Sequence, residues 1–167
     1  MDFSKFKPAD WLKVGGAAGF IIFGIFLHWA KIEFMGVSET GNNVFDYPVR
    51  GIISLLLVLL VGVVTLLGHQ GKSVGKVQWP IVNVLASAVA TVLMLLLLIM
   101  GPDDSGFDLK PAIGLYLSFL ATIAALVGSV MAFQAGGGNI NDLKDINKLK
   151  DSFGQGGSDI PPPPPSA

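Results

Sequence analysis

Three aspartates, Asp103, Asp104 and Asp108, close the run LMLLLLIMGPDDSGFDLKP at residues 93–111. Carboxylates this near one another can offer oxygens to a hard cation. A calcium loop, however, wants ligands at alternate positions, a glycine at the sixth and a distal glutamate. Gly106 falls at the wrong place, while Gly101 and Pro102 end one apolar run and Lys110 and Pro111 open the next. The aspartates therefore read as a solvated turn, with weak divalent binding as the alternative. His28 and His69 are the next residues capable of proton chemistry, and each sits at one end of an apolar run. Both read as interfacial side chains rather than a relay, because the runs place them at opposite ends of a bilayer.

Small polar residues are the third group. Asn83, Ser87 and Thr91 recur every four positions, which puts them on one helix stripe with Ala86 and Ala90 beside it. Gly114, Ser118 and Thr122 repeat the spacing, as do Ala124, Gly128 and Ala132, and GGAAG places Gly15 and Gly19 four apart. Such faces let helix backbones approach and hydrogen-bond where hydrophobicity gives no drive, so packing is the first expectation for them. A narrow polar lumen centred on Asn83 is the alternative. No HExxH, phosphate-cradling GxxxxGK[ST] or serine–histidine–acid arrangement is present, and GQGGSD near the end lacks the strand and helix that a nucleotide loop needs. The sequence thus assigns no catalytic, cofactor-binding or metal-binding residue.

The elements that must carry these residues follow from charge distribution. The chain has 167 residues, 51% hydrophobic and only 14% charged, with a mean hydropathy of +0.64. Its charges leave four free windows, 14–30, 51–71, 77–102 and 111–141. Each is near or above the roughly 20 residues that cross about 30 Å of hydrocarbon as a helix. A soluble helix would show charge on its outer face every turn or two, and these do not. The expected fold is an all-α membrane protein: a four-transmembrane-helix bundle with short loops, its helices at about 11–30, 51–68, 79–100 and 112–133. Residues 1–10 form an N-terminal arm. Pro8 and Asp10 mark the start of the first helix, Asp10 as its N-cap, and Pro80 and Pro111 sit in the first turns of the third and fourth. The first window lacks the small residues of a cleavage site around Ala30 and is expected to be retained.

Eight lysines, Lys5, Lys7, Lys13, Lys72, Lys76, Lys144, Lys148 and Lys150, fall on the side of the termini, against Lys31, Arg50 and Lys110 on the other. That bias predicts both termini in the cytoplasm. Trp11, Trp29 and Trp79 fall at expected helix ends and read as interfacial anchors. Beyond GGG at 136–138, Ile140, Leu143, Ile146 and Leu149 recur every three residues in 134–153. This juxtamembrane segment reads either as a mostly solvated tail or as a short amphipathic helix. Residues 154–167, with five consecutive prolines, read as a disordered tail. The absence of cysteine removes disulfides and thiol chemistry, and a net charge of −1 gives no nucleic-acid footprint.

FKPADWLKVGGAAGFIIFGIFLHW at 6–29, four short-looped helices and a proline-ending tail together resemble small tetraspan membrane proteins of unknown function from actinobacteria. The resemblance implies the plasma membrane as location and brings no catalytic residue. The functional expectation is a non-enzymatic accessory, scaffold or assembly partner of a membrane complex. Its partners would be the lipid bilayer and either a second copy or another membrane protein. The alternative is a small oligomeric channel or transporter using the Asn83 stripe.

Overall fold

The computed structural model describes residues 6–34, 37–70, 78–101 and 109–138. Asp103, Asp104 and Asp108, the stretch 139–153 and the tail 154–167 lie outside the described residues. Helix α1 runs Pro8–Ile21 and continues through a wider π-type turn, Ile22–Phe26. Its N-cap is Lys7, in an extended conformation, and Pro8 fills the first position, where a missing N–H costs nothing. Asp10 was expected at the cap. It lies instead in the first turn, where its Oδ2 accepts the Lys7 backbone N–H at 3.2 Å, so its charge still faces the helix's positive end.

Helix α2 spans Ile53–His69 and is entered through a π-type turn, Pro48–Ile52. Helix α3 spans Trp79–Met100 and α4 spans Ile113–Ala135. Gly101, at φ +80°, ends α3 in a conformation that a Cβ would disfavour. Pro111 does not enter α4 as expected. It pairs in a strand, and Ala112 is the extended N-cap. With their π-type turns, the four helices give apolar segments Pro8–Phe26, Pro48–His69, Trp79–Met100 and Ile113–Ala135, each long and apolar enough to cross a membrane. Helix α1 packs against α4 and α2, and α3 against α2 and α4, so the helices close into a ring with the first and last adjacent.

The end of the bundle opposite the termini is not a simple loop. Strand β1, Ala30–Phe34, pairs antiparallel with β2, Val37–Gly41, on one side and with the two-residue β3, Lys110–Pro111, on the other. This small sheet ties the first connection to the third. Trp29 enters the core beneath it: its indole is fully buried, stacks on Tyr47 at 5.9 Å and meets the Phe20 ring edge-on at 6.1 Å. Its Nε1–H donates to the Phe23 carbonyl at 3.3 Å, which satisfies the one polar atom such a ring carries. The expectation of an interfacial anchor is therefore corrected for Trp29. Phe20, Gly24, Tyr47 and Gly51 close around a residue which the hydropathy profile alone leaves at a helix end.

Candidate functional site

The small-residue stripes do bring helices together, though not always through the residues expected. A Cβ placed on Gly128 would lie 2.6 Å from the Ala9 carbonyl oxygen and 2.9 Å from the Lys13 nitrogen, so α4 touches the backbone of α1 there. Gly16 does the same one level further in, where its Cβ would meet the Ala121 oxygen at 2.7 Å and the Ala125 nitrogen at 2.8 Å. Gly62 faces Ala17 across the α1–α2 contact at 2.7 Å. Gly114 fits beneath the His28 carbonyl and the Leu27 side chain. Gly15, by contrast, is exposed with nothing within 4 Å of an added Cβ, and one on Gly19 would make ordinary contact with the Phe23 ring at 3.4 Å and the Ala121 methyl at 3.6 Å. The expected Gly15–Gly19 packing face is thus displaced by one residue. Rotation about the α1 axis turns Gly16 inward and leaves Gly15 outside.

The polar stripe of α3 faces inward. Ser87 is fully buried and Asn83 nearly so, while Thr91 is half-buried. The Ser87 hydroxyl donates within its own helix toward the Asn83 carbonyl at 2.7 Å and the Val84 carbonyl at 3.1 Å, and Thr91 donates to the Ser87 carbonyl at 2.8 Å. Thr122, also fully buried, donates to the Phe119 carbonyl at 2.7 Å. Back-bonding of this kind satisfies a hydroxyl in an apolar setting without a partner from another helix. Two atoms are exceptions: Asn83 Oδ1 and Ser118 Oγ are buried with no hydrogen-bond partner among the described residues. Of the remaining tryptophans, Trp11 is half-exposed in the first turn of α1, and Trp79 is partly buried at the first residue of α3.

The charged group at the bundle's terminal end is new. Asp10 and Lys13 are both buried, and the Lys13 Nζ lies 2.9 Å from Asp10 Oδ1. The last residue of α2 completes the group, with His69 Nε2 3.3 Å from Asp10 Oδ2. The Phe6 ring stands nearly perpendicular to the His69 imidazole at 4.3 Å. One carboxylate thus links the start of α1 to the end of α2, with one oxygen turned to the ammonium and the other to the histidine and the Lys7 N–H. Asp10 was expected only as a helix start and His69 only as an interfacial residue. The three-residue spacing of Asp10 and Lys13 was the available signal, since it sets the two charges on one helix face.

Among the described residues no three histidine, aspartate or glutamate side chains converge in a way that would hold a metal ion. The arrangement at Asp10 can fix two helix ends and balance charge. No family model, curated protein or solved structure matches the chain.

Proposed function

We propose that the protein is a non-enzymatic polytopic protein of the plasma membrane, with both termini cytoplasmic, serving as an accessory, scaffold or assembly partner of a membrane complex. One observation carries this reading: the inward polar stripe is used within the chain, with Ser87 fully buried and its hydroxyl bonded inside α3. Among the described residues, the outward apolar surface is left to meet another molecule, with Leu56 and Leu60 of α2, Val89 and Val92 of α3 and Leu120 and Val127 of α4 exposed. In lipid such a surface can be shared with the helices of a partner. The lysine bias toward the side of the termini supports the orientation.

Because the chain has no cysteine, single-cysteine variants test both parts directly. With Phe45→Cys and Gln70→Cys, a membrane-impermeant thiol reagent applied to intact cells should label position 45 and spare position 70; the reverse pattern overturns the orientation. Photo-crosslinkers at positions 60, 92 and 127 should give discrete heteromeric products from at least one position. Crosslinks to lipid alone from all three overturn the assembly role.

A second reading, a channel or transporter assembled from several copies, is supported by Asn83 Oδ1 and Ser118 Oγ, two buried acceptors without partners. Asn83→Leu separates the two readings. Asn83 Oδ1 is buried without a partner among the described residues, so in a packing role the substitution should leave the unfolding free energy in detergent unchanged or raise it, by about 1–3 kcal/mol at most. Loss of solute flux in proteoliposomes with assembly intact would instead favour the channel.

A further inference from the structure

Helices α1 and α4 touch through Gly16 until their backbones meet, and on the adjoining outer face α1 presents Gly15 and Gly19 without side chains. The result is a trough on the outside of the bundle, floored by those glycines and Ala124, walled by Leu120 and bounded along α1 by Trp11 and Phe23. Its volume is about 280 Å³. From Trp11 to Phe23 a helix rises about 18 Å. Spread over that length, the volume corresponds to a cross-section of about 16 Å². A single file of methylene groups, about 4 Å wide at van der Waals contact, fits it. The mouth carries charge. Lys7, the extended N-cap, is exposed, and its carbonyl accepts the Trp11 N–H at 3.2 Å, one turn before the trough begins. Its ammonium makes no ion pair with a described residue, whereas Lys13 is committed to Asp10.

We propose that this trough binds one acyl chain of an anionic phospholipid from the leaflet on the side of the termini, with the lipid phosphate held at Lys7. The site rests on the membrane reading above but not on the accessory role. Lipid fills the trough that the displaced glycine pair leaves open, and Trp11 sits where the chain meets its headgroup, at the depth an indole favours.

The test is native mass spectrometry of the full-length protein in detergent, titrated with dioleoyl phosphatidylglycerol or dioleoyl phosphatidylcholine. One phosphatidylglycerol per chain should be retained about fivefold better than phosphatidylcholine, the effect of one lysine at a membrane surface. Lys7→Gln should bring the two lipids level. Gly15→Phe fills the trough at a position where an added Cβ meets nothing within 4 Å, so it should abolish the adduct of both lipids and leave the unfolding transition in place. Lys7→Gln acts on an exposed side chain and keeps the test decisive if Gly15→Phe disturbs the bundle. Equal retention of the two lipids by the unaltered protein overturns the proposal. So does a phosphatidylglycerol adduct that survives Gly15→Phe, or a dimer that lipid cannot compete away and that Gly15→Phe removes, since the occupant would then be a second copy. A chain that stays dispersed without detergent overturns the membrane reading and this site with it, whereas the other outcomes overturn the site alone.

Discussion

Gly16→Leu should separate α1 from α4 and cost the bundle about 3 kcal/mol or more, at the upper end for overpacking a closed contact. The obstruction is backbone on the α4 side: the added Cβ would lie 2.7 Å from the Ala121 carbonyl oxygen and 2.8 Å from the Ala125 nitrogen. Neither atom can turn aside as the end of a side chain would, so one helix must translate. Movement at that level is shared, because α1 also meets α4 at Gly128, where Leu12 Cβ would stand 2.8 Å from an added methyl. Denaturant or thermal unfolding in detergent, followed by circular dichroism, reads the loss. Gly15→Leu is the matched control, with the same side chain one residue away and nothing within 4 Å of its Cβ; its midpoint should not move. Equal losses from the two variants would overturn close approach as the cause, since helix propensity favours leucine over glycine at both positions.

That contrast also shows what the sequence can and cannot convey about this molecule. Charge-free stretches of hydrocarbon length locate the four helices to within a few residues, because a spanning segment has no other way to satisfy its backbone. The four-residue spacing of Asn83, Ser87 and Thr91 likewise marks the stripe that faces inward. A GxxxG pattern, however, does not state its own rotation. In GGAAG the choice between Gly15 and Gly16 is made by Ala121 and Ala125, about a hundred residues away. Trp29 was misplaced for a related reason. Hydropathy sees an indole at the end of an apolar run, while its burial depends on Tyr47, which stacks on it at 5.9 Å, and on Phe20 and Gly51. The alternation in AKIEF and the glycine that follows at position 36 are the local signals of the β1–β2 hairpin after Trp29.

Lys13→Ala should be at least as damaging as Gly16→Leu, by a different mechanism. It leaves Asp10, whose side chain is only 11% exposed, without the ammonium that balances it at 2.9 Å. Removing one member of a buried pair costs about 3–5 kcal/mol, most of it the penalty of the charge left behind and not the worth of the bond lost. The asymmetry gives a sharp check. If stranded charge is the cause, removing both members should restore stability, so Asp10→Leu combined with Lys13→Met should unfold near the unaltered protein or above it. His69 adds a second consequence. Its imidazole reaches Asp10 Oδ2 at 3.3 Å from the end of α2, so Lys13→Ala leaves the histidine as the carboxylate's remaining side-chain partner, whereas the double substitution removes the tie between the two helix ends. Crosslinking yield between cysteines introduced at Phe6 and Gln70, which flank that junction, should therefore fall in the double variant even as its unfolding midpoint recovers. If midpoint and yield instead move together, the charged group is a source of stability and not a clasp that fixes where α1 begins relative to where α2 ends.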